Sequence, residues 1–134
     1  MKPSNPSRLY ARPMGQFRVA FPTNHFDAAA AFYRTHLAAD TVTEWSEETR
    51  GVVLQVAGEG CVELFDAGPG AGAAPVGLII SIELHSTEAV DDLHAQLSMV
   101  APVTMALGDA SWGHRTFRVL DPSGVTLAFW APLP

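Results

Sequence analysis

The stretch Trp112-Gly113-His114-Arg115-Thr116-Phe117-Arg118-Val119-Leu120-Asp121-Pro122-Ser123-Gly124-Val125-Thr126-Leu127-Ala128-Phe129-Trp130 decides how this chain folds. Residues 114–120 and 125–130 carry the β-branched and aromatic side chains that favour strands. Between them, Asp121-Pro122-Ser123-Gly124 combines residue types that each favour chain reversal. The stretch therefore reads as a hairpin. Side chains alternate across a strand, so His114, Thr116 and Arg118 share one face while Phe117 and Val119 share the other. On the second arm, Ala128 and Trp130 share a face.

An earlier part of the chain carries the same pattern. Val53-Leu54-Gln55-Val56 resembles Thr116-Phe117-Arg118-Val119, and Val62-Glu63-Leu64-Phe65 resembles Leu127-Ala128-Phe129-Trp130. The offset changes by two residues between the matches, which predicts a longer hairpin in the second half. Outward from these pairs, strands are expected at residues 16–21, 41–47, 51–57 and 61–65, with a turn at 57–60. Pro22 is expected to end the first strand, because proline cannot continue a ladder. Asp27 then serves as a candidate N-cap for a helix whose Ala29, Phe32, Tyr33 and Leu37 recur at helical spacing.

Residues 66–77 are almost all Gly, Ala and Pro and read as a connector. Beyond it the order repeats. A strand at 78–84 leads to a helix capped by Ser86 or Thr87, with Val90, Leu93, Leu97 and Val100 along one side. Strands follow at 102–107, 114–120 and 125–130. The expected organisation is a flexible arm at residues 1–15 and one domain at 16–134. Module one is 16–67, the linker 68–77 and module two 78–131. The fold class is α+β, with two tandem βαβββ modules. One such unit alone leaves the open face of its sheet exposed, whereas two can curl mixed sheets around a shared cavity.

Composition narrows the function. Hydrophobic residues make up 48% of the 134 and charged residues 16%, a globular balance. The formal net charge of -6 lacks the basic footprint of nucleic-acid binding, so no nucleic acid and no membrane are expected as partners. Cys61 is the single cysteine, so no intrachain disulfide can form. No apolar run reaches the roughly 18 residues of a membrane span, and residues 1–15 lack the apolar stretch of a signal peptide. Cytoplasmic location is the resulting expectation.

The segment Phe26-Asp27-Ala28-Ala29-Ala30-Ala31-Phe32-Tyr33 resembles the first-helix signature of the vicinal-oxygen-chelate superfamily, which includes glyoxalases, bleomycin-resistance proteins and extradiol dioxygenases. The opening stretch resembles that superfamily's closing hairpin, and together with the duplicated order the likeness covers residues 16–131. It implies a glyoxalase/bleomycin-resistance-like fold and a homodimer. Metal-using members take one ligand from the first and fourth strands of each module. The matching positions here are Arg18, Glu63, Leu78 or Ile79, and Ala128. Only Glu63 has a metal-donor side chain; arginine offers no free lone pair. The expectation is therefore no metal and no cofactor.

Alternation places Arg18 and Glu63 on the face opposite Val19, Val62 and Leu64, where they could form an ion pair. Either that pair is structural or it binds a polar ligand group. His114, with Glu63, is the candidate acid or base. The candidate ligand-binding set is Arg18, Trp45, Glu63, Ser81, Glu83, Trp112, His114, Arg118, Ala128 and Trp130. Aromatic walls with a few polar groups suit a flat or apolar ligand, and Ala128 leaves room for it. His36 and His94 are expected at the surface and Cys61 in the packing.

The reading that follows is a metal-independent small-molecule-binding protein, for a drug-like compound or a metabolite. The alternative is a divalent-metal-dependent glyoxalase-like lyase or isomerase, or a dioxygenase, with non-standard ligands. A third class is an interaction module that has lost its ligand.

Overall fold

The computed structural model describes residues 15–134. The arm expected at 1–15 lies outside them, apart from Gly15. In chain order the elements are β1 (Phe17–Thr23), α1 (Phe26–His36), β2 (Asp40–Trp45), β3 (Gly51–Ala57) and β4 (Gly60–Asp66). Then come β5 (Ile79–Glu83), α2 (Thr87–Leu97), β6 (Val103–Asp109), β7 (His114–Leu120) and β8 (Thr126–Pro132). The repeated βαβββ order is present, and the fold is α+β. One sheet runs β1-β4-β3-β2 and the other β5-β8-β7-β6. In each, the first strand pairs in parallel with the fourth and the hairpins pair antiparallel.

The helices cover one face of the sheets. On the first sheet, Phe21, Val52, Leu54, Val62 and Leu64 turn to this side and are buried with Ala29, Ala30, Phe32 and Tyr33 of α1. On the second, Phe117, Val119, Leu127 and Phe129 are buried with Val90 and Leu97 of α2. This is the alternation read from sequence, carried out in three dimensions. The other face of the first sheet bears Arg18 and Glu63, and that of the second bears His114, Thr116, Arg118 and Trp130.

Several local expectations change. Strand β1 runs on through Pro22 to Thr23, with Pro22 opposite Phe65. β1 has a partner on one side only, and an edge strand tolerates the missing N–H. Asp27 does not cap α1. His25 holds the N-cap position without a side-chain hydrogen bond, and its N–H is taken by Thr23 Oγ1 at 3.0 Å. Asp27 instead lies in the first turn and binds Arg50 at 2.6 Å. That guanidinium holds the Asp27 carboxyl below its ordinary value. Strand β2 stops at Trp45 instead of reaching residue 47.

Other expectations hold. Ser86 caps α2, its hydroxyl accepting from the Ala89 N–H at 3.1 Å. The β7–β8 hairpin is longer than the β3–β4 hairpin. Cys61 is buried and free. His36 and His94 are not simple surface residues: each is partly buried, against Phe32 (5.4 Å between rings) and Phe117 (5.1 Å) respectively.

Polar contacts join the modules. The Tyr33 hydroxyl donates to Asp121 Oδ2 at 2.7 Å, and the Ser123 hydroxyl donates to Thr23 Oγ1 at 2.7 Å. Asp121 also accepts from the backbone N–H of Ser123 and of Val125. Asn24 holds the connector, donating to the Gly68 carbonyl at 3.1 Å and accepting from the Ala73 N–H at 2.9 Å. A cavity of about 540 Å³ lies along the seam between the two sheets, lined in part by residues of the edge strands β1 and β5.

Candidate functional site

The open face of the second sheet carries a cleft of about 340 Å³. Its floor comes from the β7–β8 hairpin. Register puts Ser81, Ala128 and Arg118 in one row across β5, β8 and β7, and Glu83, Trp130 and Thr116 in the next. Ser81, Ala128, Arg118, Thr116 and Trp130 line the cleft. Glu83 does not; it is exposed on edge strand β5 and lines the seam cavity instead. Ser81 belongs to both hollows, so the cleft opens towards the seam at that residue.

Aromatic groups form the wall. His114 stacks on Trp130, with ring centroids 4.2 Å apart and planes 14° from parallel. Trp112 closes the same end and is 60% exposed. The Thr116 hydroxyl is already committed to the Phe129 carbonyl at 2.8 Å. Arg118 differs from its neighbours. Its Nε is buried and has no hydrogen-bond partner.

The remaining candidates lie on the open face of the first sheet. Arg18 and Glu63 do pair, at 3.4 Å. The β1–β4 register places Arg18 opposite Cys61 and Ala20 opposite Glu63, so the guanidinium reaches diagonally to the next row. Arg18 is also held by Gln16, to which its Nε donates at 2.8 Å. Glu63 and His114 belong to different sheets, and no hydrogen bond or ion pair joins them among the described residues.

Trp45 is seated by a feature that sequence reading missed. Gly51 is its cross-strand partner, and a Cβ on Gly51 would collide with Trp45 Cζ2. The indole lies across the bare backbone and meets Phe65 edge-on at 6.0 Å. Replacing Gly51 with alanine is expected to eject the indole and to destabilise the fold by about 1–3 kcal/mol, as overpacking does. Urea denaturation measures this, and an unchanged midpoint would refute the close seating.

The metal implied by the resemblance can be tested against these side chains. Ile79 shares a face with Ser81 and Ala128, whereas Leu78 precedes β5, so the fifth-strand position is Ile79. Arg18, Ile79 and Ala128 offer no lone pair to a cation. Glu63 offers one, but the guanidinium already sits on its carboxylate. Among the described residues, no three of His, Cys, Asp and Glu gather into a group that could hold an ion. These side chains do not fit a divalent metal.

Known proteins share this architecture. A lactoylglutathione lyase from Agrobacterium tumefaciens superposes with a TM-score of 0.68 at 20% identity, covering 89% of this chain and 94% of that one. TioX from Micromonospora sp. ML1 gives 0.68 at 18%, covering 90% and 100%. A glyoxylase/bleomycin resistance protein/dioxygenase domain from Frankia sp. EAN1pec gives 0.73 at 16%, covering 90% and 99%. At such identities the likeness concerns fold alone. No curated protein matches the chain. No helix among the described residues is long and apolar enough to cross a membrane. The family assignment comes from the sequence itself, since residues 15–129 match the family's model. The chain belongs to the glyoxalase/bleomycin resistance protein/dioxygenase superfamily.

Proposed function

We propose that this protein binds a drug-like compound or metabolite in the cleft of its second sheet, without a metal ion, as a cytoplasmic homodimer. The cleft itself carries the reading. Its volume of about 340 Å³ lies at the small end of ligand sites, and its lining combines the rings of Trp112, His114 and Trp130 with the polar groups of Ser81, Thr116 and Arg118. A binder needs no nucleophile, and His114 is occupied in stacking on Trp130. The donor set supports metal independence, because one carboxylate engaged by arginine is a poor ligand set for a catalytic cation.

The dimer reading rests on the family resemblance and on exposed apolar surface. Trp112, Phe17 (70% exposed) and Ile79 (45%) lie beside the two hollows in a single chain. A second copy laid over the open faces would cover them and close the cleft.

Metal analysis of the purified protein, followed by thermal-shift screening against aromatic small molecules after chelation, tests the reading. The expected result is less than about 0.1 metal ion per chain and ligand-induced stabilisation that survives chelator, since a ligand at 100 times its Kd adds about 2.7 kcal/mol. Stoichiometric zinc, nickel, manganese or iron would favour a lyase, isomerase or dioxygenase instead. Sedimentation of the same sample is expected to show two chains per particle.

A further inference from the structure

We propose that the ligand of the second-sheet cleft is a planar organic acid whose anionic group sits on Arg118. This rests on the small-molecule reading above and adds the ligand's chemical class. The chain has 14 acidic and 8 basic residues, so carboxylates are plentiful and arginines have partners to choose from. Arg18 holds Glu63, and Arg34 holds Glu44. Arg50 holds Asp27 and Asp66, and Arg115 holds Asp91 and Asp109. Arg118 alone among the arginines of the described residues holds no carboxylate, and it is the one whose Nε is buried without an acceptor.

A buried guanidinium N–H without an acceptor is unfavourable, and folds rarely keep one without a use. The surroundings of Arg118 show what would satisfy it. Its row contains Ser81, Ala128 and Met105, none of them charged. Ala128 is its direct neighbour in β8, and a methyl group there leaves the space beside the guanidinium open to the cleft. Glu83 belongs to the adjacent row at the exposed edge and lines the other hollow. Two acidic residues at 63 and 83 would have favoured a cationic ligand, but Glu63 is paired on the first sheet, and Glu83, one row along on the same face, lines the seam cavity and not this cleft.

Beside Arg118 stands the stacked pair of His114 and Trp130, with Trp112 at the rim. A flat ring takes up the aromatic face, and a carboxylate or comparable oxyacid accepts paired hydrogen bonds from the guanidinium fork. The small volume suits one ring or a fused pair.

The test is isothermal titration calorimetry of the full chain with three probes of one shape: 2-naphthoate, 2-naphthamide and 2-naphthylmethylammonium. The wild type is expected to bind the naphthoate at least about tenfold more tightly than the amide, as a charge-assisted contact would give. Arg118→Gln is expected to erase that preference and leave the amide within about twofold. Ser81→Asp keeps the arginine and supplies a competing carboxylate in the same row on an exposed strand. It is expected to weaken the naphthoate about tenfold and covers the case in which Arg118→Gln fails to fold.

Equal or tighter binding of the amide or the ammonium would overturn the acid assignment while leaving the small-molecule reading intact. Failure of all three probes to bind would overturn the assignment as well. A naphthoate preference that survives in Arg118→Gln would also overturn it, and a simultaneous dimer-to-monomer change would locate the acceptor on the partner chain.

Discussion

Asp121→Ala is expected to lower the unfolding free energy by about 3 kcal/mol or more, since each buried hydrogen-bonding group left without a partner costs about 1–3 kcal/mol. Three donors lose their acceptor: the Tyr33 hydroxyl, the Ser123 N–H and the Val125 N–H. Tyr33 is fully buried and Asp121 is 3% exposed, so water cannot readily replace the carboxylate. The loss falls on the contact between the modules, because Tyr33 belongs to α1 and Asp121 to the β7–β8 turn. Asp121→Asn keeps an oxygen for the two backbone donors and should lose far less. Chemical denaturation of the three proteins checks the order, and equal midpoints would remove Asp121 from this role.

The same residue predicts a pH dependence. Burial pushes the Asp121 carboxyl above its ordinary value of 3.8, against the pull of its hydrogen bonds. Burial and the neighbouring carboxylate likewise push the Tyr33 hydroxyl up, so it stays protonated as a donor. A carboxyl raised in the folded state binds its proton more tightly there than in the unfolded chain. Its contribution is complete below 3.8 and is lost as pH rises through the folded-state value. The wild type is therefore expected to gain stability on Asp121→Asn as pH falls through that window. A gain on raising the pH would show the opposite sign and refute the account.

Phe117→Ala is expected to cost about 3–5 kcal/mol, the range for removing a large aromatic side chain from a core. Phe117 is completely buried and stacks on Phe129 at 5.3 Å. It also receives the edge of His94 from α2 at 5.1 Å, so the cavity left behind would loosen the second helix from its sheet. Because Phe117 faces away from the cleft, Phe117→Leu should retain ligand binding while losing part of the stability. Thermal denaturation beside a binding titration separates the two effects. A Phe117→Ala protein as stable as the wild type would mean that the core has repacked around the loss.

The alternation that buries Phe117 also made the fold legible from sequence. Period-two patterns gave the strand faces, and the repeated Val-Leu-Gln-Val and Val-Glu-Leu-Phe segments marked the two hairpins. The misreadings are local. Pro22 looked like a terminator because the sequence does not reveal that β1 is an edge strand. Asp27 looked like a cap because its pairing with Arg50, distant in the chain, was invisible. His36 and His94 looked exposed because helical position alone does not say which aromatic ring lies beneath. Gly51 carried a readable signal only in part: a glycine opening a strand hints at a close approach, but nothing names Trp45 as what approaches.

By itself, the sequence determined the order of elements, the family, and which side chains share a face, because those follow from local propensity and the two-residue repeat of a strand. The division of charge was decided only by tertiary structure. Pairing Arg18 with Glu63, turning Glu83 to the seam and leaving Arg118 without a carboxylate all depend on the register between strands distant in sequence. The reason is physical: an ion pair forms or fails over a few ångströms, and only the packed sheets set distances that fine.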